Sequence, residues 1–172
     1  PSGIFAPKVK ACIGNGAVLD LENFLDEVQT LEKAGINLKS RLIISPRCHL
    51  IMPYHKILDN LYEKALGKDK IGTTGRGNGP VYADKISRNG IRLIDLLDEK
   101  QFSRRLSSEL ILKNKIIVAL SGKPIKQIEI EKDFFAMRAK ILPFVAEPFP
   151  LPQNATKKNK YILLEGVKTI FL

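Results

Sequence analysis

The chain has 172 residues, 44% of them hydrophobic and 27% charged, which suits one domain, or a large part of a bigger one, with a sizeable core. Lysine and arginine number 28 against 18 aspartate and glutamate, a net charge of +10, and that excess points to anionic partners: nucleotides, nucleic acid or a membrane surface. No apolar run approaches the roughly 18 residues of a membrane span, and the N-terminal stretch PSGIFAPKVKACIGNG lacks a signal-peptide layout. Cys12 and Cys48 form no metal-ligand pattern and fit the reduced thiols of a cytoplasmic protein. Pro1 in place of an initiator Met, and an end inside the apolar run YILLEGVKTIFL, suggest that residues 1–172 are an internal segment of a single larger domain.

Residues 9–13 read as a short strand that ends in the tight turn Gly14-Asn15-Gly16. Asp20 is placed to cap a helix whose Leu21, Phe24, Leu25, Val28 and Leu31 recur at helical spacing, with Gly35 at the C′ position. RLIIS at 41–45 is a second strand, stopped by Pro46. Another helix starts near Pro53, carries Ile57, Leu58, Leu61 and Ala65 on one face, and closes at Gly67. The glycine-rich segment 70–92 follows and reads as a flexible loop. Asp98 with Gln101 resembles a capping box for a third helix through Phe102, Leu106 and Leu110. Residues 116–120 either extend that helix or form a strand.

Residues 134–145 read as a further helix interrupted at Pro143, and 147–160 as a Pro/polar surface connection. Residues 161–164 read as a strand leading into Glu165-Gly166. Strands alternating with amphipathic helices predict the α/β class: part of a larger mixed, mainly parallel sheet with surrounding helices.

The segment KIGTTGRGNGPVYADKISRNGIR at 70–92 concentrates the chemistry. Glycines let the backbone approach a ligand, Thr73 and Thr74 add hydroxyl donors, and Lys70, Arg76, Lys85, Arg88 and Arg92 add positive charge. That combination suits a phosphate ester. A P-loop is excluded, because Asn78 stands at the lysine position and no apolar strand precedes. A dinucleotide fingerprint fails on its G-x-G-x-G spacing. His49 and His55, near Cys48, do not make a convincing zinc site, and His55 early in a helix reads as structural or surface. No Ser-His-Asp or Cys-His pairing stands out.

At this point the residues carry a resemblance. Stretches PSGI (1–4), IGNGAVLD (13–20), YHKILDN (54–60), KIGTTGRGNGPVYADKISR (70–88) and GIRLIDLLD (90–98) are similar to adenylosuccinate synthetase, the purine-pathway enzyme that joins IMP and L-aspartate at the expense of GTP. The family signature appears as Gly77-Asn78-Gly79-Pro80, Tyr82, Lys85 and Arg88. The resemblance implies that Thr74 contacts the IMP 5′-phosphate, flanked by Thr73 and Gly75. It implies that Arg88 reaches across a homodimer interface to the partner subunit's IMP, a task suited to a planar, permanently charged fork. Lys85 matches a signature lysine near the active site and is the catalytic candidate within the chain, with a loop- or dimer-stabilising role as the alternative. Arg76 and Arg92 read as structural or field-shaping.

By the same resemblance, the family's GTP loop with its catalytic aspartate and following histidine precedes this segment. The later GTP and aspartate elements follow it, and the ligands of Mg2+ lie outside it, so the segment alone is expected to be inactive. Three departures stand out. Lys168 occupies the family position of an IMP-binding glutamine and cannot accept a hydrogen bond. Asn78 replaces the signature isoleucine, and prolines interrupt 147–153. Alternatives are a basic nucleic-acid-binding module, motivated by the charge, and a decayed copy kept for a dimerising or structural role.

Overall fold

The computed structural model of the chain describes residues 2–166. After a 3-10 turn over Ser2–Phe5 come β1 (Ala11–Ile13), β2 (Val18–Leu19) and α1 (Leu21–Lys33). Helix α1 begins as predicted, with Asp20 Oδ1 accepting from the Asn23 N–H at 3.4 Å, the usual N-cap bond. Its Leu21, Phe24 and Val28 turn inward, and Gly35 takes the left-handed position after the cap. β3 (Leu42–Ile44) then runs parallel to β1, with Ala11 opposite Leu42 and Ile13 opposite Ile44. β4 (His49–Leu50) runs parallel to β2, with Val18 opposite His49. These parallel pairs connected through a helix give the predicted α/β class. The pair β2 and β4 escaped the sequence reading because two residues cannot display an alternating pattern.

Helix α2 (Pro53–Leu66) opens on Pro53 and ends at Gly67, as expected. The segment 70–92 is not one flexible loop. It contains α3 (Asn78–Ile86) and leads directly into the short α4 (Leu93–Leu97). Helix α3 is hidden in sequence because its first turn is Asn78-Gly79-Pro80, poor formers that a helix tolerates there. Burial of Pro80, Val81 and Asp84 then overrides propensity.

In α5 (Glu99–Ala119), Asp98 Oδ1 accepts from the Gln101 N–H at 3.1 Å, and residues 116–119 continue the helix rather than forming a strand. Helix α6 (Gln127–Ile141) starts well before residue 134 and passes into a 3-10 turn at Leu142–Phe144 that accommodates Pro143. Its early turns are polar, with Ile128 exposed, so periodicity is weak there. The stretch 147–160 holds α7 (Pro150–Lys157), with Pro150 in the first turn where its missing N–H costs nothing. Residues 161–164 do not form a strand, and Tyr161, Leu163 and Leu164 are exposed.

One core joins the strands to α1, α2, α5 and α6. Phe24 meets Phe144 edge-on at 5.6 Å, and Phe102 stacks on Phe134 at 5.6 Å. Fully buried side chains such as Phe102 and Leu106 each contribute about 1.5–3 kcal/mol through burial. Among the described residues no helix is long and apolar enough to cross a membrane.

Candidate functional site: a glycine-rich segment and its buried anchor

Helix α2 holds the glycine-rich segment along one face. Both oxygens of the Glu63 carboxylate accept backbone N–H groups, from Ile71 at 3.2 Å and Gly72 at 3.0 Å. Buried Asp59 accepts from the Gly77 N–H at 2.9 Å. Gly77 sits at φ +80°, where a Cβ would lie 2.9 Å from His55 C and Cβ and from Lys56 N, so only glycine lets the chain pass this close to α2. These N–H groups are therefore engaged within the protein. Outward the segment presents Thr73, Thr74 and Arg76, all exposed, while Gly75 is half-buried against Asn60.

Lys85 occupies a different place. Its Nζ donates to Asn15 O at 2.8 Å and Gly16 O at 2.7 Å, the turn that follows β1. Tyr82 OH donates to Gly16 O at 3.3 Å, and the Lys85 ammonium lies 5.5 Å from the Tyr82 ring centre. On the same turn, Ser45 Oγ donates to Asn15 Oδ1 at 2.6 Å and Cys48 Sγ donates to Gly14 O at 3.0 Å. This cluster stands just past the carboxyl ends of parallel β1 and β3, where ligands gather in open α/β sheets. Burial lowers the Lys85 pKa, with Arg92 acting in the same direction and Cys48 against it. Burial also pushes the Cys48 thiol up to about 11, which makes it a poor nucleophile.

Beneath both lies a buried network that the sequence reading missed. Asp84 of α3 accepts from His55 Nε2 of α2 at 2.9 Å and from Lys113 Nζ of α5. His55 is 0% exposed, Asp84 5% and Lys113 7%. His55 Nδ1 accepts the Met52 N–H at 2.9 Å, so the proton sits on Nε2 and the ring is neutral. Burial lowers the His55 pKa against the pull of Asp84, in agreement with that tautomer. Burial raises the Asp84 carboxyl, but the hydrogen bonds from His55 and Lys113 outweigh it and its pKa falls below the usual carboxylate value. One signal was available: Lys113 falls on the buried stripe of Phe102, Leu106, Leu110 and Ile117, and a lysine there needs a buried anion.

Arg88 is exposed and follows α3 at φ +66°, a left-handed conformation unusual for arginine. Thr74 and Arg88 thus stand at opposite ends of α3, whose nine residues span about 13 Å. Thr73, Thr74 and Gly75 belong together on the segment before α3, and Lys85, on α3, reaches the β1–β2 turn with its ammonium. Glu165 and Gly166 are exposed and irregular. Lys168 lies outside the described residues. An open concavity of about 720 Å³ is lined by Ser107, Ile111, Asn114 and Val118 of α5 and does not include the glycine-rich segment.

A family model described as adenylosuccinate synthetase matches residues 1–172. The chain belongs to the adenylosuccinate synthetase family. It is 43% identical to the adenylosuccinate synthetase of Clostridium botulinum (strain Eklund 17B / Type B) over 174 residues, covering 100% of this chain and 41% of that protein. Identity to the Brachyspira hyodysenteriae adenylosuccinate synthetase is 41% over 173 residues, covering 100% of this chain and 40% of that protein. The solved structure of the fully ligated adenylosuccinate synthetase from Plasmodium falciparum superposes with a TM-score of 0.78 at 26% identity, over 93% of this chain and 37% of that one. The chain thus spans about two fifths of the length of its adenylosuccinate synthetase relatives.

Proposed function

We propose that this chain supplies part of the IMP site of a cytoplasmic, homodimeric adenylosuccinate synthetase, a ligase that joins IMP and L-aspartate with GTP hydrolysis. The observation that carries this is the segment before α3, where Thr73, Thr74 and Arg76 stand exposed on a backbone fastened to α2 through Asp59 and Glu63. A fastened segment presents hydroxyl donors to a phosphate without a large ordering cost. Thr74 donates to the IMP 5′-phosphate, with Thr73 and Gly75 shaping the turn beside it.

Arg88 serves the partner subunit's IMP. The length of α3 between Thr74 and Arg88 supports that role, because one phosphate at Thr74 is far from the arginine of the same chain. Lys85 acts by holding the Asn15–Gly16 turn against α3, since both carbonyls already accept from its ammonium. Lys168 stands at the family glutamine position of the IMP site. Mg2+ bound by the whole protein would supply charge neutralisation for the nucleotide phosphates, and no residue of this chain is assigned to it.

The test is GTP-, IMP- and aspartate-dependent formation of adenylosuccinate by the protein that carries this chain, with Thr74→Ala beside it. Loss of one charge-assisted hydrogen bond to phosphate is expected to raise the KM for IMP about 10- to 100-fold. A Thr74→Ala protein with unchanged KM for IMP overturns the assignment.

A further inference from the structure

Helix α3 has nine residues, and isolated helices below about 12–15 residues are marginal in water. What it touches therefore sets its orientation. Asp84 faces inward, with one carboxylate oxygen on His55 of α2 and the other on Lys113 of α5. The next residue, Lys85, is turned about 100° around the helix axis and grips the Asn15 and Gly16 carbonyls. The Asp84 carbonyl in turn accepts from Ser87 Oγ at 3.2 Å, Asn89 N at 2.9 Å and Gly90 N at 3.1 Å. Those bonds close the turn that holds Arg88 in its left-handed conformation. One residue thus joins the buried anchor to Lys85 on α3 and to Arg88 in the turn that follows it.

We propose that Asp84 is a positioning residue for the IMP site: through His55 and Lys113 it fixes the roll and depth of α3, and so sets where Lys85 and Arg88 stand. This rests on the IMP reading above. Net stability is a poor explanation for such a network, because apolar side chains of similar volume often replace a buried ion pair without loss. Orientation is what they cannot replace: an apolar contact tolerates rotation, whereas a carboxylate shared by two donors on two helices does not.

The experiment compares wild type with Asp84→Asn, Lys113→Met and Lys113→Arg in the protein that carries this chain, at a temperature where each is folded. Two readouts are taken: the rate of chemical acylation of Lys85, followed by mass spectrometry, and the KM values for IMP and GTP. In Asp84→Asn, Lys85 is expected to come off the Asn15–Gly16 turn and react several-fold faster. The KM for IMP should rise roughly 10- to 100-fold, as loss of a charge-assisted contact to phosphate produces, with the KM for GTP within about twofold. Lys113→Arg, which keeps the cation, should recover most of the affinity lost in Lys113→Met.

Unchanged Lys85 reactivity with unchanged KM for IMP in folded Asp84→Asn overturns the proposal. So does an equal rise in both KM values, which marks general loosening. A wild type without IMP affinity, in which Asp84→Asn still frees Lys85, sinks the IMP reading while supporting the positioning of α3. If Asp84→Asn does not fold, the pair Asp84→Leu with Lys113→Met buries no lone ion and carries the same comparison.

Discussion

Substituting alanine for Gly77 should pull the glycine-rich segment off α2. Gly77 lies at φ +80°, and an added Cβ would stand 2.9 Å from His55 C, His55 Cβ and Lys56 N. The left-handed conformation costs an L-residue about 1–2 kcal/mol. Relieving overlap with helix backbone, which cannot rotate away as a side chain can, costs a further ~1–3 kcal/mol. The expected loss is therefore about 2–5 kcal/mol, with the Gly77 N–H to Asp59 bond broken or lengthened in the process.

Gly79, two residues on and inside α3, is the matched control. A Cβ there meets nothing within 4 Å and φ is not positive, so Gly79→Ala should stabilise by about 0.5–1 kcal/mol through helix propensity. Urea unfolding of the three proteins, followed by circular dichroism, reads both values from the midpoints. A Gly77→Ala loss below about 0.5 kcal/mol, the range of an ordinary surface change, refutes the close-approach reasoning. An equal loss in Gly79→Ala refutes it as well.

Arg88→Gly should stabilise the chain by about 1 kcal/mol, since glycine adopts the φ +66° turn without strain, while removing the guanidinium proposed for the partner subunit's IMP; thermal unfolding and IMP affinity should move in opposite senses. Arg41→Met should cost about 2–3 kcal/mol and open residues 4–9 to proteolysis, because the guanidinium donates to Ile4 O and Ala6 O at 2.6 Å, Asn37 O at 3.1 Å and Val9 O at 3.2 Å. Stability should also fall as pH drops from about 6.5 towards 4. Burial, Lys85 and Arg92 lower the His49 pKa to about 4, and His55 is lowered as well, so the unfolded chain takes up protons there that the folded chain does not. Asp84 has a lowered pKa, so its contribution is present above the ordinary carboxylate range and disappears only at still lower pH. His49→Gln should flatten the upper part of that profile, measured as urea midpoint against pH, and an unchanged slope refutes the assignment.

Much of the helical frame was legible because it is written locally. Asp20 and Asp98 cap helices whose apolar residues repeat at the helical period, Pro53 opens one, and Gly35 and Gly67 close two. The long signature match likewise led to the family before any coordinate did, since Gly77-Asn78-Gly79-Pro80 with Tyr82, Lys85 and Arg88 is a linear pattern. Helix α3 was not legible, because Gly79 and Pro80 obscure the periodicity and the burial of Val81 and Asp84 decides the outcome. Residues 161–164 failed in the opposite sense: a strand is a pairing, and an apolar run does not supply the neighbour.

By itself, then, the sequence determined the caps, the parallel α/β class and which residues bring phosphate chemistry. The tertiary structure decided which of those residues remain available. It engaged the N–H groups of Ile71, Gly72 and Gly77 with carboxylates of α2 and committed Lys85 to two carbonyls. It also brought His55, Asp84 and Lys113 together from three helices. Such pairings depend on where helices cross, and burial makes them strong because a buried charge must find its partner wherever the fold places it.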